Sequence, residues 1–184
     1  MLYVKKLENG QDAAQLSADK ALVGEDVLVR ISRLGFTLSY LPAASAQWRS
    51  FPPSDRASFL IQTPGTLCFG SFLDDKLIGV CAVRVASGGW SEILDIRVDA
   101  ASRRLGAGKA MLDACQSWAE ARHTAGLKLI TTDLNPGMCQ FCEHVGFKLQ
   151  GMDRFALAMT ESERNKPLAQ RACELIFYRT NDRE

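Results

Sequence analysis

The order of the predicted elements indicates a single α/β domain over residues 1–184. From Thr66 onward, three β-rich runs precede a long amphipathic helix; a strand, a shorter helix and two more strands follow. The chain has 184 residues, a length that fits one domain. No internal repeat, low-complexity segment or change of composition marks a second domain.

The first three of these strands have clear boundaries. Residues 66–73 and 76–85 are joined at Asp74-Asp75, which predicts a hairpin. A turn at residues 87–89 leads to a strand over residues 90–98. Strict alternation along that strand would place Glu92 and Asp95 on opposite faces.

The long helix is predicted over residues 106–124, with Gly126 as its left-handed cap. Its apolar stripe is formed by Ala107, Met111, Ala114, Trp118 and Ala121. A short buried strand over residues 127–132 follows.

The second helix begins after Asn135, a suitable N-cap, with Pro136 at its first position, and ends at Gly146. The next strand, over residues 147–157, contains a possible bulge at Gly151. A polar loop and a last strand over residues 174–179 complete the chain.

The first 60 residues carry weaker signals. We expect a strand over residues 2–7, a short helix over 11–23 and extended chain over 26–40. Residues 41–53, which contain three prolines, predict irregular surface chain. Residues 54–61 predict one or two helical turns.

Composition and charge exclude several classes of protein. The chain is 47% hydrophobic and 23% charged, the balance of a soluble globular protein, and its net charge of +1 gives no basic field for nucleic acid. No apolar run reaches the roughly 18–20 residues of a membrane span. The N-terminus lacks the apolar core of a signal peptide, so a cytoplasmic location is the expectation.

The six cysteines lie mostly among apolar residues, which favours reduced, packed thiols over a disulfide framework. Cys139-x-x-Cys142 has the spacing of a redox or zinc pair. However, it lies on a predicted helix, and only His123 and His144 could complete a metal site. We expect no bound metal.

The junction over residues 98–109 carries the most functional information. An apolar strand precedes it and an amphipathic helix follows it. The junction itself contains two adjacent arginines and the pair Gly106 and Gly108. Backbone N–H groups and the positive end of a helix dipole then point at one place. This arrangement predicts binding of a phosphorylated cofactor.

Two motifs in this order resemble those of the GNAT superfamily of acyl-CoA-dependent N-acetyltransferases. Arg103-x-x-Gly106-x-Gly108 resembles its pyrophosphate motif. Asn135, Met138, Phe141, Cys142, Glu143, Gly146 and Phe147 fit its downstream helix motif. The resemblance covers residues 66–157. It implies a mixed, mostly antiparallel central sheet with flanking helices and a splayed pair of parallel strands.

A narrower resemblance is to streptothricin acetyltransferases, which acetylate the β-lysine amine of that antibiotic. It is carried by residues 35–39, 146–153 and 174–178.

The resemblance implies which residues bind acetyl-CoA, the expected cosubstrate. Backbone groups near Ile96, Arg97 and Val98 would hold the pantetheine arm. The loop would hold the pyrophosphate through Arg103, Arg104, Leu105, Gly106, Ala107, Gly108 and Lys109. Asn135 would touch the cofactor arm or serve only as an N-cap, and Met138 replaces the usual alanine beneath the cofactor.

For catalysis, the resemblance implies direct attack of an amine on the thioester. Glu92 and Asp95 are the candidate general bases, and each could instead be a surface or ion-paired residue. Cys142 stands where the family usually has a tyrosine that protonates the leaving thiolate. A cysteine is shorter, so water, Tyr178 or another group could supply that proton.

The expected activity is therefore acetyl transfer to a primary amine of a small molecule, such as a streptothricin-like antibiotic. Acetylation of a peptide or protein remains an alternative, as does an acyl-CoA-binding module without activity. Five aromatic residues could line an acceptor pocket or belong to the core: Phe36, Tyr40, Trp48, Phe51 and Trp90. A monomer or a homodimer is expected.

Overall fold

A computed structural model of the chain describes residues 1–8, 16, 20–50, 56–157, 160, 163–167 and 172–181. The chain divides into two compact units. Unit 1 comprises residues 1–21, 49–128 and 180–184, and unit 2 comprises residues 22–48 and 129–179. That residues 1–184 form one domain stays a prediction.

The described elements are mostly strands, with a few helices between them. In chain order they are β1 (Leu2–Lys6), β2 (Lys20–Ser32), β3 (Gly35–Ser50), α1 (Arg56–Ile61), β4 (Thr66–Leu73), β5 (Lys76–Val85), β6 (Ser91–Val98), α2 (Ala107–Glu120), β7 (Gly126–Thr132), α3 (Pro136–His144), β8 (Lys148–Asp153) and β9 (Glu174–Thr180). Short 3₁₀ turns occupy Ser87–Gly89 and Ala100–Ser102.

The larger sheet confirms the predicted fold class. Its hydrogen-bonded strand order is β1-β4-β5-β6-β7-β9-β8, and β2 and β3 form a separate two-stranded sheet. In unit 1, β1, β4, β5 and β6 pair antiparallel, as do β8 and β9 in unit 2. The pair β6–β7 is parallel. The sheet is therefore mixed and mostly antiparallel, as expected.

The β4–β5 hairpin turns where the sequence predicts. Asp74 and Asp75 have φ angles of 47° and 65°, the left-handed conformation that a two-residue hairpin turn requires. Both aspartates interact with the first residues of the chain. The amino group of Met1 forms an ion pair with Asp74, and the Tyr3 hydroxyl donates a hydrogen bond to Asp75 at 2.9 Å. These contacts fix β1 beside the hairpin.

Strand β5 has apolar layers on both of its faces. On one face, Val80 and Ala82 pack in a buried cluster with Leu60 of α1. On the other face, a Cβ at Gly79 would lie 2.9 Å from Met111 Cε of α2, and Cys81 Sγ lies 3.6 Å from Cys115 Sγ. We call these faces of the sheet the α1 side and the α2 side.

Unit 2 confirms the predicted start and end of the second helix. The Asn135 side chain caps α3 by accepting the Met138 N–H at 3.1 Å, and Pro136 is the first helical residue. Gly146, with φ of 88°, follows the helix. The register of β8 against β9 shifts between Leu149 and Gly151, which confirms the predicted bulge.

Several predictions are wrong in detail. Residues 41–50, predicted as irregular chain, belong to β3. Residues 20–23, predicted as the end of an early helix, belong to β2. The rest of these two predicted segments includes residues 11–15, 17–19 and 51–53, which lie outside the described part. The left-handed residue after α2 is His123, with φ of 54°, whereas Gly126 begins β7. The buried residues of α2 are Ala107, Met111, Leu112, Cys115 and Ala119. The predicted stripe is therefore wrong at Ala114, Trp118 and Ala121, none of which is buried.

Candidate functional site

The loop between β6 and α2 has the backbone geometry that an anion site needs. Arg104 and Gly106 both have positive φ angles, 67° and 85°. For a residue with a side chain, this conformation costs roughly 1–2 kcal/mol. Gly106 is the N-cap of α2 and has no side chain to cap the helix. The N–H groups of the first helical turn are therefore left for water or a ligand.

Positive charge surrounds this loop. Arg103, Arg104 and Lys109 are exposed, and the first turn of α2 has no acidic residue. Lys109 forms an ion pair with Asp113 at 2.6 Å, and Arg103 Nε donates to the Val98 carbonyl at 3.4 Å. Within the described part of the chain, neither arginine of the loop forms an ion pair. Both remain able to approach a phosphate.

The loop leaves open space beside Gly106. A Cβ built there would come no closer than 4.0 Å to any neighbour, the nearest being Leu2. The positive φ therefore selects glycine at this position, and the space is left for an approaching group. Beside it, Ala107 is buried, Gly108 is half-buried and Leu105 is 51% exposed.

A β-bulge in β6 brings the two candidate bases to one face. Arg84 opposes Glu92 and Ala82 opposes Asp95, while Leu94 is an extra residue without its own partner in β5. Residues two apart on a strand share a face, and directly opposed residues do too. Glu92 and Asp95 therefore both lie on the α1 side. The prediction of opposite faces is wrong because it assumed unbroken alternation.

Each of these carboxylates is paired with an arginine. Glu92 Oε2 accepts from Arg84 Nη2 at 3.0 Å. Asp95 accepts from Arg97 Nε through both oxygens, at 3.1 and 2.8 Å. The Glu92 pair is half-exposed, whereas the Asp95–Arg97 pair is nearly buried. The side chain of Arg97 was not among the predicted functional groups, although a charged residue at the apolar end of a strand is a signal that the sequence contains.

The end of β6 places the residues expected to hold the cofactor arm. Ile96 opposes Cys81 and Val98 opposes Gly79, so both side chains lie on the α2 side. Both are half-buried. Arg97, between them, turns its side chain to the α1 side.

In unit 2, the thiol at the expected tyrosine position is shielded. Cys142 is fully buried, and this burial, with smaller effects from Cys139 and Glu143, raises its pKa. Burial likewise raises the pKa of Cys139 to about 12. Both side chains therefore stay neutral thiols near pH 7. Met138, on the same helix, is half-buried.

The side chain of Tyr40, in β3, contacts helix α3. The Tyr40 hydroxyl of β3 donates to Glu143 Oε2 at 2.5 Å. Desolvation, followed by this hydrogen bond, raises the pKa of Tyr40, so the phenol keeps its proton. From the sequence, Tyr40 is only a candidate residue of an aromatic wall, since no local pattern links residues 103 positions apart.

All six cysteines of the chain are free thiols, and all are buried. Among the described residues, no group of three or more His, Cys, Asp or Glu side chains is arranged to hold a metal ion. The described helices include none with the length and apolar character needed to cross a membrane.

Comparison with curated proteins finds two relatives of modest identity. Over 106 residues the chain is 28% identical to streptothricin acetyltransferase A of Bacillus subtilis strain 168, covering 58% of this chain and 61% of that protein. Over 146 residues it is 27% identical to a streptothricin acetyltransferase of Escherichia coli, covering 79% of this chain and 80% of that protein. The chain thus spans less than two thirds of the Bacillus subtilis relative.

A solved structure shares the fold over nearly its whole length. It is assigned as a streptothricin acetyltransferase from Bacillus anthracis strain Ames and was solved in complex with acetyl coenzyme A. The two match with a TM-score of 0.82 at 20% identity, covering 98% of this chain and 99% of that chain. Likeness at this identity supports the fold.

The family assignment comes from a sequence profile. The profile of the acetyltransferase (GNAT) family matches residues 35–147, well over half of the chain. The match includes β6, the loop with Arg104 and Gly106, and α3. The chain belongs to the acetyltransferase (GNAT) family, whose enzymes are N-acetyltransferases that use acetyl-CoA.

Proposed function

We propose that this protein transfers the acetyl group of acetyl-CoA directly to a primary amine of a small molecule. The observation that carries the proposal is the loop at residues 103–108, where left-handed Arg104 and Gly106 leave the N-terminus of α2 uncapped beside exposed positive charge. Backbone N–H groups in such an arrangement bind phosphate oxygens. We assign the pyrophosphate of the cofactor to this loop, and a cytoplasmic location is part of the proposal.

Each remaining cofactor residue has a proposed role. Arg103, Arg104 and Lys109 supply charge near the phosphates, while Leu105, Ala107 and Gly108 contribute backbone groups of the loop. The backbone of Ile96, Arg97 and Val98 holds the pantetheine arm. In unit 2, the Oδ1 of Asn135 accepts the Met138 N–H, which leaves the amide NH₂ group of Asn135 for the cofactor arm.

Burial of the thiols supports direct transfer over an acyl-enzyme intermediate. A cysteine must reach the thioester as a thiolate in order to accept the acyl group. All six cysteines are buried, and burial raises the pKa of Cys142. We therefore propose that the acceptor amine itself attacks the thioester carbonyl.

Glu92 and Asp95 are the proposed bases, acting on the ammonium of the acceptor directly or through water. Their common position on the α1 side supports an acceptor bound on that side of β6. Cys142 retains its proton, and we expect it to contribute less to the release of thiolate than a tyrosine would. CoA thiolate is a tolerable leaving group, so turnover does not require a strong acid.

The names of the curated relatives support a small-molecule acceptor. Both are streptothricin acetyltransferases, and the Escherichia coli protein aligns over four fifths of its length. We therefore place an antibiotic amine of the streptothricin type first among acceptors, ahead of a peptide or protein amine.

Two measurements test this proposal. Isothermal titration with acetyl-CoA should show binding, and its absence would refute the proposed cofactor site. Release of CoA thiol should then depend on an acceptor from a panel of small amines, streptothricin and peptides. Faster turnover of peptides would overturn the small-molecule assignment, and binding without turnover on any acceptor would favour a module without activity.

A double variant tests the loop itself. Gly106→Ala with Gly108→Ala adds methyl groups where the backbone must approach the pyrophosphate, so acetyl-CoA affinity should fall about tenfold or more. Gly24→Ala, in β2, is the matched control, because its Cβ would meet only Ala46 at an ordinary 3.6 Å. Equal affinity in the double variant and the control would show that the loop does not bind the cofactor.

A further inference from the structure

Strand β2 has a long edge that no other described strand covers. Within the described residues, β2 forms a sheet with β3 alone, and it is 13 residues long. A two-stranded sheet is marginally stable by itself, and an unpaired edge can accept another strand. Pro42 has no N–H group to donate from β3, whereas β2 contains no proline. The edge of β2 is therefore the better template for a further strand.

The two faces of β2 differ in exposure. On one face, Val23 is buried, and Val27 and Val29 are half-buried. Glu25 of the same face accepts a hydrogen bond from Gln140 of α3 at 2.8 Å. The five residues of the other face are all exposed: Leu22, Gly24, Asp26, Leu28 and Arg30. The exposed face thus presents two leucines, one acid and one base to any partner that pairs with this edge.

This exposed face is complementary to itself. Asp26 lies two positions before Leu28, and Arg30 lies two positions after it. Antiparallel pairing of two β2 strands centred on Leu28 therefore places each Asp26 opposite Arg30 of the other copy. Any other antiparallel register of two identical strands separates this acid from this base. Registers centred on Asp26 or on Arg30 oppose like charges.

We infer that two copies of this chain form a dimer by antiparallel pairing of their β2 strands, with Leu28 at the two-fold axis. The backbone groups of the two edges pair and give a four-stranded sheet in the order β3-β2-β2-β3. Leu28 packs against Leu28 of the second copy, and an Asp26–Arg30 ion pair lies on each side of it. Charged residues normally keep a strand edge from pairing. Here they select a second copy in one register.

Charge reversal tests this inference by sedimentation equilibrium of the full chain. Native protein at about 100 µM should have twice the mass of one chain, since that concentration populates a dimer of micromolar affinity. Asp26→Arg and Arg30→Asp each oppose like charges at two symmetric positions. Each should raise the dissociation constant at least about tenfold.

Two combinations should restore the dimer. The double variant Asp26→Arg, Arg30→Asp exchanges the charges and keeps every pair opposite in sign. An equal mixture of the two single variants also brings unlike charges together, so it should contain a heterodimer. Glu120→Arg is the matched control, because it makes the same change of net charge at an exposed residue of α2. It should leave the dissociation constant unchanged.

A cysteine pair tests the register. Leu28→Cys would lie opposite its own counterpart, with Cα atoms about 4.5–5.5 Å apart, a separation that a disulfide spans. Leu22→Cys, on the same face, would lie about 40 Å from its counterpart. With diamide as the oxidant, Leu28→Cys should give a covalent dimer on a non-reducing gel and Leu22→Cys should not. Native protein is the blank, because all six of its cysteines are buried.

Several results would overturn the inference. It fails if native protein is monomeric at this concentration, if either charge reversal leaves the dissociation constant unchanged, or if the mixed variants form no heterodimer. Equal cross-linking of Leu28→Cys and Leu22→Cys also contradicts it. Cooperative urea unfolding shows that each charge variant is folded, and for a variant that is not, the cysteine pair decides. None of these measurements depends on acetyl transfer, so their failure is distinct from failure of the proposed function.

Discussion

Burial controls the chemistry of the thiol side chains. Cys68 lies on the α1 side and Cys139 on α3, and desolvation is the largest cause that raises the pKa of each to about 12. An ordinary thiol has a pKa near 8.5. In the unfolded chain these thiols therefore lose their protons at a pH where the folded protein retains them.

This difference predicts that stability falls in alkaline solution. Above pH 8.5 the unfolded state binds fewer protons than the folded state, so the free energy of unfolding decreases as pH rises toward 12. Between pH 8 and pH 9.5 we expect a loss of about 1 kcal/mol for each of the two thiols. Urea unfolding at the two pH values, with a reductant present, measures it.

The double variant Cys68→Ala, Cys139→Ala provides the comparison. Its stability should be lower at pH 8, since buried side chains are truncated, but its loss between the two pH values should be smaller by about 2 kcal/mol. Equal losses in both proteins would mean that these thiols are not shielded.

Single residues differ in how far the sequence predicts them. Asn135 and Gly106 are predictable because capping and left-handed backbone depend on neighbours in the chain. Tyr40 and Glu143 are not, because their hydrogen bond depends on the packing of α3 against a distant strand. Asp95 and Arg97 are two positions apart, so alternation predicts their common face, but the bulge decides that this is also the face of Glu92.

At the scale of elements, strand β5 packs so closely against β6 and α2 at Gly79 that no side chain fits there. A Cβ at Gly79 would lie 2.9 Å from the Arg97 carbonyl oxygen and 2.9 Å from Met111 Cε. The carbonyl belongs to the backbone of β6, so it cannot move aside without disturbing the pairing of β5 with β6.

Gly79→Ala should therefore destabilise the protein by roughly 1–3 kcal/mol, the usual cost of overpacking. Gly24→Ala is the matched control, because its Cβ would meet Ala46 at an ordinary 3.6 Å and should change stability little. Thermal and urea unfolding measure both variants. A Gly79→Ala protein as stable as the control would contradict the close packing of β5 against α2.

The elements also show where sequence patterns are insufficient. The strands from β4 onward follow apolar runs with clear turns, so their positions were predictable. Residues 41–50 of β3 were not, because Pro42 and a run of small residues favour irregular chain, and pairing with β2 overrides that preference. Many of its side chains, including Trp48 at 72% exposure, lack the burial that would produce an alternating pattern.

At the scale of the molecule, the two motifs and their order were sufficient to predict the fold class and the family. The profile match begins at Gly35, upstream of residues 66–157, over which the sequence resembles the GNAT superfamily. Local motifs do not reveal how the chain divides into two units, because unit 2 joins residues 22–48 to residues 129–179. Contacts of such long sequence separation leave no periodic signal.

Cofactor binding should stabilise the whole chain. Acetyl-CoA at about 100 times its dissociation constant should add about 2.7 kcal/mol, since the unfolded chain has no site for it. For a protein of this size that raises the midpoint of thermal unfolding by several degrees. The Gly106→Ala, Gly108→Ala protein should show a smaller rise at the same concentration. An unchanged midpoint for the native protein would contradict the proposed cofactor site.

The extra residue at Leu94 has a consequence for comparing related sequences. Because of the bulge, Glu92 and Asp95 share a face although they are three positions apart. In a strand without a bulge, two carboxylates share a face only when they are two or four positions apart. An odd or even separation between the two carboxylates therefore indicates from the sequence alone whether the bulge is present. A relative lacking one residue between the positions of Glu92 and Asp95 would keep both acids on the α1 side along a straight strand.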